Sequence, residues 1–141
     1  MTEVPFHYVD LRSFCYATED EARVERALRT LLPDEFEINR AVSEGHHGDR
    51  IVVLSARAEN ADDVRHVLDR LADLDLDRIR DELGDRVNDN CALFMRLDKQ
   101  AAYKGRVERG EGLELRGKIE AYPAKKEAAV ENAADALEAR S

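Results

Sequence analysis

The sequence predicts an α+β protein, a two-layer sandwich in which an antiparallel or mixed sheet is covered on one face by helices. Runs with strand-like alternation and runs with helical spacing of apolar residues follow one another in the order β-α-β-β-α-α-β-β-α. This order lacks the regular βα alternation that is typical of a parallel sheet. The 141 residues suit one sizeable core. One face of the sheet is therefore expected to remain uncovered.

The first predicted strand, VPFHYVDLRSFCY, alternates between two faces. One face carries Val9, Leu11, Ser13 and Cys15, and the other carries Tyr8, Asp10, Arg12, Phe14 and Tyr16. Thr18 and Glu21 have the spacing of a capping box, which predicts the start of the first helix. That helix buries Val24, Ala27, Leu28 and Leu31, and Pro33 closes it.

Two further strand-like runs, EFEINRAVSE and RIVVLSARAE, are joined by a short polar connection with a glycine on each side. That arrangement favours a hairpin, because a tight reversal needs a positive φ. In the first run, Phe36, Ile38, Arg40 and Val42 share one face and the opposite face is expected to be exposed to solvent.

The second half of the domain begins at Asn60, which is expected to cap a helix. This helix would bury Val64, Val67, Leu68 and Leu71. A third helix, with Leu76, Ile79 and Leu83 on one face, is expected to be interrupted or to stop at Gly84. CALFMRLD is nearly continuous in apolar residues, which favours a strand in mid-sheet, and GLELRGKIEAYP alternates as a strand.

The chain is expected to divide into a single α+β domain over residues 1–123 and a C-terminal helical tail over residues 124–141. The tail is rich in Ala and Glu, which predicts a weakly amphipathic helix or a partly frayed segment.

Composition limits the class of protein. The net charge is −9, and the basic residues are divided into seventeen arginines and five lysines. This composition resembles that of proteins from a high-salt cytoplasm, and an ordinary acidic protein is the open alternative. Two cysteines in apolar stretches are expected to be buried free thiols. No apolar run reaches the roughly 18 residues that span a bilayer, and no basic-then-apolar leader opens the chain. A soluble, cytoplasmic protein without membrane contact is therefore expected.

The sequence GHHG places His46 and His47 at the tip of the predicted hairpin. Neighbouring residues of an extended segment point in opposite directions, so the two rings do not readily share one metal ion. A metal site with Glu44 and Asp49, two exposed rings, and a loop that contacts nucleobases or phosphates all remain open.

Basic residues are concentrated between residues 96 and 109, where five cations and two carboxylates leave a balance of +3. Tyr103 and Gln100 add a ring and an amide, and these residue types are typical contacts of phosphate, sugar and base. The alternative is that Asp98 caps a short helix while the cations pair with acidic helices nearby.

The chain contains no motif that pairs a nucleophile with a base and no Gly-rich phosphate loop before a helix. A non-catalytic protein without a cofactor is therefore expected. Two alternatives stay open. One is a metal-dependent hydrolase that uses His46, His47, Asp49 and Asp98, and the other is a protein-interaction module that uses the open face of the sheet.

Three segments, EGHHGDRI, FMRLDKQAAY and KIEAYP, resemble an archaeal family of RNA-binding proteins described as predicted exosome subunits. The resemblance spans roughly residues 5 to 123. It implies a fold similar to that of ribosomal protein L5, RNA as the partner, and an accessory role in RNA processing or degradation with contacts to exosome core subunits. A homo-oligomer is also compatible with the sequence. The residues predicted to bind RNA are Arg96, Lys99, Gln100, Tyr103, Lys104, Arg106, His46 and His47.

Overall fold

The computed structural model describes residues 4–44 and 48–139 of the chain. The strands are β1 (Phe6–Cys15), β2 (Asn39–Glu44), β3 (Arg50–Ala58), β4 (Ala92–Asp98) and β5 (Gly112–Ile119). The helices are α1 (Glu21–Arg29), α2 (Ala61–Arg70), α3 (Leu76–Asp81), α4 (Leu83–Arg86), α5 (Lys99–Tyr103) and α6 (Lys126–Glu138), with a 3₁₀ turn over Leu71–Asp73. All strand pairs are antiparallel, in the order β2-β3-β1-β5-β4. The predicted two-layer α+β sandwich is confirmed.

Strand β1 lies at the centre of the sheet and sets the two faces. Val9, Leu11, Ser13 and Cys15 share one face, as the alternation predicts, and the structure shows that this is the face that points into the helical layer and is buried. A register shift between Phe6 and Tyr8 turns the Phe6 ring into the same core. In the part of the chain that the structure describes, the helices therefore cover one face of β1 and leave the other open.

Two predicted helix starts have different outcomes. Asn60 caps α2, because its side chain accepts a hydrogen bond from the Asp63 amide at 2.9 Å. The capping box of Thr18 and Glu21 is wrong. Asp20 caps α1 instead by accepting from the Ala22 amide at 3.0 Å, and the Glu21 carboxylate pairs with Arg40.

Strand β2 is shorter than its alternation predicts. Glu35 has a φ of 60°, and the Phe36 amide donates to the Pro33 carbonyl, so the chain turns here and pairing begins only at Asn39. Every residue of β2 is exposed, which makes it an outer strand with both faces open to solvent.

The prediction that CALFMRLD lies in mid-sheet is wrong, because β4 is an edge strand. An apolar composition is compatible with this position because two short segments flank the outer side of β4. Val87 bridges to Leu93 at one end, and Arg109 bridges to Leu97 at the other. Composition does not distinguish such a flanked edge strand from a central one.

The remaining helices complete the core. The break between α3 and α4 falls at Glu82 and not at Gly84, which lies inside α4. The C-terminal segment forms a regular helix, α6, whose Ala129, Ala133 and Leu137 are buried in the same core cluster as the sheet. Cys15 and Cys91 are buried free thiols, as predicted. Within the described ranges, none of the helices has the length and apolar character needed to cross a membrane.

Candidate nucleic-acid interface

The uncovered face of the sheet is a broad concavity of about 640 Å³. The central strand, β1, turns Tyr8, Asp10, Arg12 and Phe14 to this face, since successive strand residues alternate between the faces, and Asp10 and Arg12 line the concavity itself. The other strands bring their own outward side chains alongside. From β3 come Ser55 and Arg57, from β4 Phe94 and Arg96, and from β5 Glu114, Arg116 and Lys118.

Aromatic rings are distributed over this face, and cations lie on them. The guanidinium carbon of Arg57 lies 3.9 Å from the centroid of the Tyr8 ring. Arg12 lies 5.2 Å from the Phe14 centroid, and Arg116 lies 5.6 Å from that of Phe94. Each pair is within the roughly 6 Å reach of a cation–π contact. Ring and guanidinium planes are the surfaces on which unpaired nucleobases stack.

Two of the arginines on the open face are paired with carboxylates. Arg57 makes a bidentate pair with Asp10 at 2.7 and 2.9 Å, and this hydrogen bond is the main cause that raises the pKa of Arg57. Arg12 donates to Glu114 from the neighbouring strand at 3.2 Å. The two carboxylates therefore orient two arginines without filling the concavity.

The rest of the positive charge has no such partner. Among the residues that the structure describes, Arg96, Arg116 and Lys118 make no ion pair, although Lys118 donates to the Asn90 carbonyl. The described strand residues of this face carry five cations and three carboxylates, a surplus of two in a chain whose net charge is −9. The third carboxylate, that of Asp98, accepts from the first amides of α5. The open face is thus locally positive in an acidic protein.

The predicted RNA-binding residues divide between two surfaces. Arg96 lies on the open face. The predicted residues of α5 and of the turn after it, Gln100, Tyr103, Lys104 and Arg106, lie beside α1 or in that turn and not on the sheet. His46 and His47 lie outside the described residues. The structure therefore does not bring the described members of the predicted set together as one patch.

Lys99 is the most enclosed of the predicted cations, with a side chain that is 14% exposed. Its ammonium group pairs with Glu19 at 2.7 Å and donates to the Phe14 carbonyl at 3.0 Å. Burial favours a raised pKa for Glu19, but the hydrogen bonds from Lys99 and from the Tyr16 amide outweigh it and lower that pKa. The Lys99 charge is neutralised within the protein.

Other members of the 96–109 segment also have partners inside the molecule. Arg23 and Arg26 lie 5.3 and 5.4 Å from the centroid of the half-buried Tyr103 ring. Arg106 pairs with Glu108 at 3.2 Å. The concavity beside α5, which Gln100 and Tyr103 line, measures only about 100 Å³ and includes Glu19 and Asp20. Lys104 is exposed at the end of α5.

The metal alternative depends on residues that the structure does not describe. Within residues 4–44 and 48–139, no group of three or more His, Cys, Asp or Glu side chains is arranged to hold a metal ion. Asp98, which the hydrolase alternative uses, caps α5 by accepting from the amides of Gln100 and Ala101 at 2.8 and 3.1 Å.

Comparison with known proteins identifies the family. A family model described as RNA binding matches residues 8–119. The chain belongs to this RNA-binding family. It is 33% identical to the RNA-binding protein PAB1135 of Pyrococcus abyssi over 144 residues, which cover 94% of each chain.

Two solved structures of archaeal relatives share this fold. The chain is 39% identical to Mth689 of Methanothermobacter thermautotrophicus, described as a DUF54 protein, with a TM-score of 0.81 over 94% of this chain and 98% of that one. It is 28% identical to AF2318 of Archaeoglobus fulgidus, with a TM-score of 0.83 over 93% and 99%. The relationship therefore covers nearly all of both chains.

Proposed function

We propose that this protein binds single-stranded RNA on the open face of its sheet, without catalysing a reaction on it. The observation that carries the proposal is the array of rings and guanidinium groups on an uncovered, locally positive surface. Rings at Tyr8, Phe14 and Phe94 would stack on unpaired bases, while Arg96 and Arg116 would contact phosphates. The name of the Pyrococcus abyssi relative and the family description support the same class of ligand.

Single-stranded RNA fits this surface better than a duplex. A-form helices are contacted through their backbone and minor groove, whereas splayed bases present flat surfaces that rings can cover. Two of the ring–guanidinium pairs join neighbouring strands, β3 to β1 and β5 to β4, and the third, Arg12 with Phe14, lies within β1. The three rings therefore offer separated stacking positions across the sheet.

The acidity of the remaining surface sets the conditions under which binding is expected. At about 1 M salt the screening length is roughly 3 Å, so distant carboxylates hardly repel the RNA. The same salt removes most of the gain from counterion release. Stacking and short bidentate contacts from arginine would then supply most of the affinity. The high-salt cytoplasm that the composition suggests is part of this proposal.

The proposal is tested by fluorescence anisotropy with a labelled single-stranded oligouridylate. A variant with both Arg96→Gln and Arg116→Gln is compared with a charge-matched control that carries Arg65→Gln and Arg80→Gln on the helices. The first variant is expected to bind roughly tenfold more weakly than the wild-type protein, and the control is expected to stay near wild type. Equal losses in both variants would show that only net charge matters.

The finer role is an accessory to RNA processing that brings RNA to the exosome core. This part rests on the resemblance of the three sequence segments, which also implies the fold similarity to ribosomal protein L5. Co-sedimentation with a reconstituted archaeal exosome core, with and without RNA, tests the contact. Absence of co-sedimentation under both conditions would restrict the proposal to RNA binding.

A further inference from the structure

A second concavity, of about 610 Å³, lies at the outer edge of β4, and we call it the β4-edge notch. It opens between the two segments that flank β4, one at Leu93 and one at Leu97. Four arginines line it: Arg78, Arg86, Arg96 and Arg109. Phe94, Met95 and Arg96 also line the open face, so the two concavities share one wall.

Three of these arginines share a single carboxylate. The Glu82 side chain accepts from Arg86 at 2.6 and 2.9 Å, from Arg109 at 2.8 and 3.2 Å, and from Arg78 at 3.2 Å. The hydrogen bond from Arg86, followed by that from Arg109, lowers the pKa of Glu82, although desolvation opposes the shift. Glu82 therefore remains ionised and holds the guanidinium groups together.

The donors in this cluster greatly outnumber the acceptors. Three guanidinium groups offer about fifteen N–H donors, and the Glu82 carboxylate accepts five hydrogen bonds from them. The fourth arginine, Arg96, makes no ion pair among the described residues. With Asp85 and Glu82 as the carboxylates of the notch, four cations leave a surplus of two.

We propose that the β4-edge notch is a phosphate-binding site that holds the RNA backbone where the bound RNA leaves the open face beside Phe94. Forked guanidinium groups match phosphate oxygens in pairs, which suits a cluster of four arginines that line one concavity. The shared wall gives the bound RNA a continuous path from the stacking surface to the notch. This inference rests on the proposed function and adds a second contact to it.

The test compares Arg78→Gln with Arg80→Gln, which changes the same charge on the same helix outside the notch. Arg78 is 67% exposed, and Arg86 and Arg109 still hold Glu82 without it, so the fold is expected to survive. Arg80 pairs with Asp77 and Glu138 and does not line the notch. Thermal melts of both variants confirm folding before binding is measured.

The probes are oligouridylates of roughly four and roughly twelve nucleotides, chosen within the range of sites on single-strand-binding modules. Both variants should bind the short RNA like wild type. Arg78→Gln should bind the long RNA roughly three- to tenfold more weakly, with a salt slope smaller by about 0.7, whereas Arg80→Gln should match wild type. If Arg78→Gln prefers the long RNA over the short RNA by the same factor as wild type does, the notch proposal is overturned. Binding of the short RNA by both proteins would still leave the open-face proposal in place.

A direct probe separates the two proposals further. Inorganic pyrophosphate is titrated while the Nε–Hε NMR signals of the arginines are followed. Saturable shifts in the notch signals of wild type, lost in Arg78→Gln, support the site even if neither RNA binds the protein. The absence of shifts overturns it. Polyphosphate and polyglutamate are also compared as competitors of the long RNA at equal concentrations of negative charge. If polyglutamate displaces the RNA more effectively than polyphosphate does, the assignment to phosphate is overturned.

Discussion

The guanidinium group of Arg57 on β3 lies 3.9 Å from the centroid of the Tyr8 ring on β1, and it donates two hydrogen bonds to Asp10, which is also on β1. The carboxylate holds the guanidinium plane while the ring supports it from one side. Less side-chain entropy is then lost when a base stacks on this pair. The open face is therefore partly organised before any ligand arrives.

Replacement of Tyr8 by leucine tests stacking without any change in charge. Tyr8→Leu is expected to weaken binding of single-stranded RNA by about 1–3 kcal/mol, the usual contribution of one base–ring stack. Anisotropy titration measures the loss. Tyr122→Leu is the matched control, because Tyr122 is 98% exposed and lies outside the five strands. A loss of equal size in the control would contradict a role for the open face.

Salt dependence reports how many phosphates the open face contacts. Arg96, Arg116 and Lys118 have no carboxylate partner among the described residues, so about three phosphate contacts are available to a short RNA. At roughly 0.7 per contact, the logarithm of the association constant should fall with the logarithm of salt concentration with a slope near −2. A slope near zero would mean that phosphates are not bound on this surface.

Lys99 is expected to act on stability and not on RNA binding. Lys99→Met removes the partner of Glu19 and leaves the Phe14 carbonyl without its donor, which should lower the free energy of unfolding by about 1–3 kcal/mol. Urea titration measures the change. Anisotropy on the same variant should give wild-type affinity for RNA. A large loss of RNA affinity in a folded Lys99→Met protein would show that Lys99 is part of the RNA interface.

The pH dependence of the same pair has a definite sign. Glu19 has a lower pKa in the folded chain than in the unfolded one, so its pair with Lys99 stabilises the protein above the unfolded value of about 4.3. That contribution is lost as pH falls through the folded pKa. The difference in unfolding free energy between wild type and Lys99→Met should therefore be largest near neutrality and shrink below about pH 4. A difference that grows on acidification would contradict this assignment.

The close approach of Phe6 to Gly117 predicts a strong effect of one methyl group. A Cβ at Gly117 would lie 2.8 Å from the Phe6 ring, which is itself buried in the core. Gly117→Ala is expected to cost about 1–3 kcal/mol by overpacking. Thermal denaturation checks the loss. RNA affinity should be unchanged, because Gly117 faces the helical layer.

The sequence predicts the inner half of this fold better than its edges. The grouping of the β1 residues into two faces follows from period-two alternation, since successive side chains point to opposite sides. Which face is buried does not follow, because both carry rings or aliphatic side chains. The place of β4 at the edge does not follow, because Val87 and Arg109 flank it and its composition matches that of a central strand. The Glu35 turn that shortens β2 has no signal in the alternation of the residues after it.

The candidate site shows the same division. Tyr8, Arg12 and Phe14 can be placed together on one face of β1 from sequence alone, but only the structure shows that this face is the uncovered one. Their significance depends on Arg57, Phe94 and Arg116, which only strand order and register bring alongside. The basic segment of residues 96–109 is visible in sequence as a local charge surplus, but its ion pairs with Glu19 and Glu82 are long-range contacts that no local count reveals.

Ultraviolet crosslinking of a single-stranded oligouridylate to the wild-type protein, with mass-spectrometric identification of the crosslinked residues, tests the central claim most directly. Binding on the open face predicts crosslinks at Tyr8, Phe14 and Phe94, with Phe94 the ring nearest to the β4-edge notch. Crosslinks confined to Tyr103 and the helices, with the three rings of the sheet unmodified, would contradict it.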